Sequence, residues 1–193
     1  MEILQEANVI YWASSILMFT YSFVDHVLEL DGETGSPPPI PRLCFVDTGV
    51  ALVHDQATGN TTPSNSTSPR CVYLLEELID VSDKEADFVK YIHNGDALPL
   101  LEPADPLYYN AEFLCFAQHV QYFKSGGLVF ISDLQGSADL LTDPQIMTSP
   151  TISRGKNMFG EGNVPKAFEA FPDQHQCNHY CTWFKLPPLK VAA

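Results

Sequence analysis

The sequence predicts an α+β fold, and three observations support this prediction. Apolar residues make up 45% of the 193 residues, which is enough to form a core and excludes global disorder. Two long segments carry apolar residues at helical spacing, while several short apolar runs are typical of strands. These helices and strands do not alternate regularly, which favours an α+β arrangement within one or one and a half domains.

The first predicted element is a helix over residues 2–30. Its apolar residues recur at spacings of three and four, and the stripe that we expect to be buried includes Tyr11 and Met18. Trp12 is predicted to anchor the core from this helix. The glycine- and proline-rich run 32–39 ends the helix.

Residues 7–24 of this helix carry no formal charge, and that length is at the lower limit for a membrane-spanning helix. Polar residues are scattered through the segment, so we expect a buried helix of a cytoplasmic protein. Glu2 and Glu6 replace the basic start of a signal peptide, and none is predicted.

The remaining elements follow from short patterns. A hairpin of two strands is predicted around the turn at 47–49, and the polar run 56–70 is predicted to form a second hairpin tip. Residues 133–175 are expected to be loops with one short helix. The other predicted strands are 42–47, 49–54, 72–79 and 128–132, residues 88–92 are predicted as helix or strand, and the predicted helices are 109–123 and 165–171.

Charge excludes two classes of partner. The chain has 24 acidic and 10 basic residues, for a formal net charge of −14. A surface this acidic repels phosphate backbones and anionic lipids. We therefore expect no nucleic acid and no membrane surface among the partners.

A histidine and cysteine cluster near the end of the chain predicts a metal site. His175, Cys177 and Cys181 lie within seven residues, and a closed tetrahedral zinc site needs one further ligand. His119, on a predicted helix, is the preferred fourth ligand, and His179 is the local alternative. Five cysteines, an odd number, favour a metal in a reducing compartment over a disulfide framework.

Oxygen-bearing side chains form a second candidate site. Asp133 and Gln135 follow a predicted apolar strand, and Asp143 comes shortly after them. Carboxylate and amide oxygens are ligands suited to Mg²⁺. Gly160 and Gly162 could bring backbone amides close to a ligand.

Five strings occur in one order and together resemble the alpha-kinase family of atypical protein serine/threonine kinases, most closely its compact fungal-type members. The strings are FAQH (116–119), SGGLVFISDLQG (125–136), LTDPQI (141–146), FGEGN (159–163) and HQCNHYC (175–181). Weaker matches, LEELI (75–79) and FVKYIHN (88–94), precede them.

The resemblance implies a two-lobed kinase-like fold, with residues 1–80 in a partial amino-terminal lobe and 81–193 in a carboxyl-terminal lobe closed by structural zinc. It implies ATP, Mg²⁺ and Zn²⁺ as cofactors and a protein as substrate. The implied roles are catalysis for Asp133, Mg²⁺ binding for Gln135 and Asp143, a hinge position near adenine for Glu76, nucleotide binding by Gly160, Gly162 and Asn163, and zinc binding for His119, His175, Cys177 and Cys181.

The sequence departs from the family in one respect. The family carries a nucleotide-binding lysine on a strand before the first long helix, whereas the first lysine here is Lys84. The amino-terminal lobe is therefore predicted to be incomplete. Two hypotheses remain open, an ATP-dependent protein kinase and a zinc-stabilised pseudokinase that binds protein or nucleotide, and a partner that supplies the missing strands would suit either.

Overall fold

The computed structural model describes residues 2–30, 36–54, 71–80, 88–153, 159–160 and 162–189. The helices are α1 (Glu2–Leu30), α2 (Tyr108–Lys124), α3 (Pro150–Ser153), α4 (Pro165–Gln174) and α5 (His179–Trp183). The strands are β1 (Cys44–Phe45), β2 (Thr48–Val53), β3 (Cys71–Glu76), β4 (Val89–Lys90), β5 (Val129–Ser132), β6 (Gln135–Gly136), β7 (Leu140–Thr142) and β8 (Gln145–Thr148). This mixed content confirms the predicted α+β class.

Within the described residues, these strands form three small sheets. One has the order β1-β7-β6-β4, and the others are the pairs β2-β3 and β5-β8. The β2-β3 pair is antiparallel from Thr48 opposite Glu76 to Val53 opposite Cys71, as the second predicted hairpin requires. Its tip lies outside the described residues.

Helix α1 is the predicted first helix, and its buried stripe agrees with the prediction in part. Ile10, Leu17, Tyr21 and Val24 of the predicted stripe are buried in the core, whereas Tyr11 is 72% and Met18 62% exposed. Trp12 is 47% exposed and lies outside the buried core, so its predicted role as a core anchor was wrong. The spacing of Tyr11 and Met18 is helical, but these residues lie on the opposite side of the helix from the core.

By length and composition alone, Ile3–Leu30 of α1 passes the test for a membrane-spanning helix. In the structure one side of α1 packs against α2 and against strands of all three sheets. Core helices of soluble proteins pass the same test. The packing therefore accounts for the apolar composition of the inward side only.

The predicted hairpin between the first two strands was wrong. Strand β1 pairs in parallel with β7, through Cys44 opposite Leu140 and Phe45 opposite Leu141. Its partner is distant in sequence, and local turn residues carry no information about such a partner. This pairing also joins the first 80 residues to the rest of the chain, while the division into two lobes stays a prediction.

The prediction of loops from 133 to 175 missed three strands and a short helix. Strands β6, β7 and β8 have two to four residues each, too few to establish a period. The predicted helix in this region is confirmed as α4. The missed strands matter because they position the candidate site.

Helix α2 is the centre of the core. Phe113 and Phe116 are fully buried, and both rings contact Tyr180 of α5, with ring centroids 5.6 and 5.7 Å apart. These aromatic contacts fix the carboxyl-terminal segment against α2. They also bring residues 175–181 next to His119.

Candidate functional site

Two carboxylates lie at equivalent turns. Asp133 directly follows β5, and Asp143 directly follows β7. Both residues adopt left-handed backbone conformations, with φ of 57° and 48°, which aspartate tolerates better than most residues. Non-glycine residues in this region often mark functional sites.

Sheet register brings a lysine and a glutamine to the same place. Lys90 of β4 lies opposite Gln135 of β6. Lys90 Nζ is 2.7 Å from Asp133 Oδ1, and Gln135 Nε2 donates a hydrogen bond of 3.0 Å to Asp143 Oδ2. The predicted trio of Asp133, Gln135 and Asp143 is therefore brought together, with Lys90 as a fourth member.

The backbone of this region also requires one glycine. Gly136 has φ of 152°, and a Cβ at this position would lie 1.9 Å from the carbonyl oxygen of Leu140. No side chain fits so close to backbone. The glycine that follows Gln135 therefore permits the tight pairing of β6 with β7.

The electrostatics of the trio are unfavourable for two ionised carboxylates. Partial loss of water at the cleft wall and the nearby charge of Asp133 raise the pKa of Asp143, while Lys90 and the Gln135 hydrogen bond lower it. The raised pKa means that the fold disfavours the negative charge of Asp143. A cation bound here would relieve that cost.

An open cleft of about 710 Å³ lies beside Asp143. It is lined by residues of α1, β3 and the 143–145 turn, together with part of the glycine-bearing segment. Glu76 lies in this lining at the end of β3, where burial and the charges of Asp143 and Glu6 raise its pKa. The described lining residues are Gln5, Glu6, Val9, Ile10, Leu74, Glu76, Asp143, Pro144, Gln145, Phe159, Gly160 and Gly162.

The glycine-bearing segment is anchored by two asparagines. Asn163 Oδ1 accepts a hydrogen bond of 3.1 Å from the backbone N–H of Thr148, and its Nδ2 donates one of 2.7 Å to Thr148 Oγ1. Asn94 Nδ2 donates to the carbonyl oxygen of Gly162 at 3.1 Å. Gly160 and Gly162 line the cleft, whereas Asn163 acts through these bonds to β8.

The histidine and cysteine cluster forms as predicted. One ligand atom from each of His119, His175, Cys177 and Cys181 lies within 4.8 Å of all the others. Cys177 Sγ is 3.8 Å from His119 Nδ1, and Cys181 Sγ is 3.7 Å from His175 Nε2.

The alternative ligand and the second nitrogen of His119 both have other contacts. His119 Nε2 is 3.0 Å from the carbonyl oxygen of Pro187, which leaves Nδ1 for the cluster. The alternative ligand His179 lies outside the cluster and contacts Glu112 at 3.7 Å.

Burial controls protonation in this cluster. Loss of water lowers the pKa of His175 to about 4 and also lowers the pKa of His119, so both imidazoles are neutral at pH 7. Burial raises the pKa of the Cys181 thiol to about 12, with Cys177 adding to the increase. Neutral imidazoles are the form that binds metals, while a metal would have to displace the Cys181 proton.

Sequence reasoning missed Lys90 and Asn94. Both lie in the FVKYIHN string, which carried only a weak family match. A lysine within an otherwise apolar run was the available signal. Its carboxylate partner, Asp133, lies 43 positions away in sequence, so the pair is visible only once β4 and β6 are known to be neighbours.

Comparison with known proteins gives one consistent result. The sequence model described as "Alpha-kinase family" matches residues 33–181. Myosin heavy chain kinase C of Dictyostelium discoideum is 39% identical over 72 residues, which are 37% of this chain. Alpha-protein kinase 2 of Mus musculus is 34% identical over 117 residues, or 60% of this chain.

Solved structures show the same fold. The apoenzyme alpha-kinase domain of myosin-II heavy chain kinase A superposes with a TM-score of 0.59 at 24% identity, covering 93% of this chain. The same domain has been solved in complex with adenosine and with AMP-PNP. The present chain spans 60% of that domain's chain, 9% of myosin heavy chain kinase C and 5% of alpha-protein kinase 2.

Proposed function

Because this chain belongs to the alpha-kinase family, we propose that it transfers the γ-phosphoryl group of ATP to a serine or threonine hydroxyl of a protein. The observation that carries the proposal is the grouping of Asp133, Gln135 and Asp143 with Lys90, beside a cleft of about 710 Å³. Phosphoryl transfer depends chiefly on positioning and charge neutralisation. This grouping supplies groups for both.

Asp133 is the proposed catalytic residue. Its carboxylate would accept the proton of the substrate hydroxyl as that oxygen attacks the γ-phosphorus and the bond to ADP breaks. The ammonium group of Lys90, 2.7 Å from Oδ1, holds the carboxylate in one orientation. Lys90 also places a positive charge near the reacting phosphate, where negative charge must be neutralised.

Gln135 and Asp143 fit a magnesium ion. Their oxygens are hard ligands, and burial together with the nearby charge of Asp133 raises the pKa of Asp143, so a bound cation would favour its ionised form. The Gln135 nitrogen is used in the bond to Asp143, so its oxygen is the ligand atom. Bound Mg²⁺ would neutralise phosphate charge, while Gly160, Gly162 and Glu76 would contact the nucleotide.

His119, His175, Cys177 and Cys181 fit a structural zinc ion. Tetrahedral bonds of about 2.1 Å to nitrogen and 2.3 Å to sulfur imply nitrogen–sulfur separations of roughly 3.6 Å, and the two measured separations are 3.8 and 3.7 Å. The Pro187 carbonyl fixes the His119 tautomer as an outer partner commonly does. Four protein ligands complete the coordination, so the role would be structural.

The charges that line the cleft support the pseudokinase alternative. The described residues that line the cleft include three carboxylates, Glu6, Glu76 and Asp143, and neither lysine nor arginine. The β2-β3 pair has no further strand beside it within the described part of the chain. A partner strand added to that pair could supply a cation, and without one the cleft would bind protein or nucleotide without catalysis.

Phosphate transfer from labelled Mg-ATP to a basic protein tests the enzyme proposal. Asp133→Asn should lower kcat by roughly 10²–10⁴-fold, the usual contribution of a positioned general base. Asp139→Asn is the matched control, because Asp139 is exposed in the neighbouring turn and contacts Ser137. That variant should retain activity within about twofold on the same energy scale.

Two results would contradict the kinase proposal. One is transfer that Asp133→Asn leaves unchanged. The other is an increase of the melting temperature by Mg-ATP, as expected of a ligand that binds only the folded state, with no phosphate transfer to any protein offered. The second result would establish the pseudokinase alternative.

A further inference from the structure

The outward face of α1 is an extended apolar surface. Leu4, Tyr11, Trp12, Met18 and Phe19 are each at least 45% exposed. A contiguous exposed patch of this kind marks an interaction surface more often than an accident of composition. The packing of the inward side of α1 does not explain it.

This surface is uncharged although the chain is strongly acidic. No charged residue occurs between Glu6 and Asp25, whereas the whole chain carries a formal charge of −14. Two copies that met elsewhere would bring many acids together, and like charges oppose association. An uncharged face avoids that repulsion. It also has no charged side chain that could form an ion pair with an acidic or basic partner.

Two serine hydroxyl groups on this face already have hydrogen-bond acceptors. Ser15 Oγ donates to the carbonyl oxygen of Tyr11 at 3.0 Å, and Ser22 Oγ donates to that of Met18 at 3.0 Å. Covering these side chains therefore leaves no hydroxyl proton without an acceptor. The face is suited to burial along most of its length.

The order of residues along the face is self-complementary. Positions 11, 12, 15, 18 and 19 form a seam with the three- and four-residue spacings of helix pairing, and they are arranged symmetrically about position 15. Ser15 is central and small. In an antiparallel pair centred there, Tyr11 of one copy lies opposite Phe19 of the other, and Trp12 opposite Met18.

An apolar groove of about 250 Å³ adjoins this seam. Trp12, Ile16 and Phe19 of α1 form one wall, and Gln121 and Val129 belong to the other. A groove beside the seam gives aromatic side chains of a second helix a place to pack.

We propose that the outward face of α1 binds a second copy of this chain in an antiparallel helix pair, with a two-fold axis at Ser15. Allowing about 200 Å² for each aromatic side chain, the exposed apolar side chains offer roughly 500 Å² per copy. A symmetric pair then buries on the order of 1,000 Å², the lower bound for a biological interface. The dimer is therefore expected to be weak and reversible.

Analytical sedimentation of the full chain tests this proposal. The chain is studied at roughly 1–100 μM, because a small interface dissociates in this concentration range. The unmodified chain should show a monomer–dimer equilibrium, and Tyr11→Glu should raise the dissociation constant at least about tenfold, because it buries an unpaired carboxylate against Phe19 of the other copy. Tyr109→Glu is the matched control, because Tyr109 is 51% exposed on α2, outside the seam. It should leave the dissociation constant unchanged.

A mixed experiment tests the antiparallel arrangement. Phe19→Lys alone should also weaken the dimer, whereas an equal mixture of Tyr11→Glu and Phe19→Lys copies should recover it, because the new acid then faces the new base. A chain that stays monomeric throughout overturns the proposal. So does association that Tyr11→Glu leaves unchanged, or binding to phosphatidylcholine vesicles in place of self-association.

Discussion

The two ligand clusters of this molecule differ in chemistry, in accessibility and in how the fold assembles them. One contains imidazoles and thiols that α2, α5 and the segment before α5 hold within 4.8 Å of one another. The other contains carboxylates and an amide at adjacent strand ends, and one of these carboxylates, Asp143, lines a large cleft. The first is suited to retaining a soft ion permanently, and the second to exchanging a hard ion together with a ligand.

Burial disfavours the charged form of side chains in both clusters. In the closed cluster it lowers the pKa of both histidines and raises that of Cys181, so these three side chains are uncharged at pH 7 without a metal. In the open cluster partial burial, together with the charge of Asp133, raises the pKa of Asp143. Removing a metal should therefore affect stability mainly through the first cluster and activity mainly through the second.

The largest expected effect comes from Cys177→Ser compared with Cys44→Ser. Both cysteines are exposed and free, but only Cys177 belongs to the closed cluster. Loss of a structural metal ligand should cost about 3–5 kcal/mol and lower the melting temperature by roughly 10 °C. Thermal unfolding with and without a zinc chelator measures both the loss and its origin.

In the Cys177→Ser variant the chelator should have no further effect. Cys44→Ser should melt within about 2 °C of the unmodified chain, as surface changes usually do. Two results would contradict the proposal that the closed cluster holds a stabilising metal. One is an equal melting temperature for the two variants, and the other is an unmodified chain whose melting temperature the chelator does not change.

A smaller effect is expected at the glycine-bearing segment. Asn163→Ala removes both hydrogen bonds to Thr148 and leaves the buried Thr148 N–H without its acceptor, at a cost of about 1–3 kcal/mol. Thr148→Val removes only the Oγ1 acceptor and should cost less. Urea unfolding of both variants checks the order, and a larger loss in Thr148→Val would contradict the assigned role of Asn163.

The smallest expected effect is a pH-dependent change in melting temperature caused by Asp143→Asn. Because its folded pKa is raised, the folded state binds a proton more tightly than the unfolded state, and stability falls as pH increases through the window between the two pKa values. Asp143→Asn should therefore melt slightly higher than the unmodified chain at pH 7.5 without divalent ions. The difference should vanish below about pH 4, where the unfolded carboxyl is also protonated.

Added magnesium should reverse the effect of Asp143 on stability. Added Mg²⁺ should stabilise the unmodified chain through Asp143 and should do so less in Asp143→Asn, because a ligand that binds the folded state raises its melting temperature. Melting curves at several Mg²⁺ concentrations measure this. An equal response in both proteins would argue that Asp143 does not bind the ion.

The sequence predicted the parts of the molecule that depend on local patterns. Helices α1, α2 and α4 follow from spacing and stop signals, and the closed cluster follows from ligand types and spacing, including the distant His119. The carboxylate trio was predicted as a set. These successes share one cause, since each depends on a strong period or on an uncommon combination of residue types.

The parts that were missed depend on tertiary contacts. The parallel pairing of β1 with β7, the ion pair of Lys90 with Asp133, and the strands β6 to β8 involve short runs whose partners are distant or whose length is only a few residues. The exposure of Tyr11 and Trp12 was missed for a related reason. Helical spacing identifies an apolar face but not what covers it.

The 58 positions between His119 and Cys177 have a consequence for how the protein is made. A ribosome that adds about 5–20 residues per second releases the imidazole of α2 roughly 3–12 s before its sulfur partner. Through that interval α2 lacks Tyr180 and both thiols, so the nascent chain exposes the aromatic side of its central helix. Such transient exposure makes a nascent chain prone to aggregation, so chaperone supply during that interval is expected to affect yield.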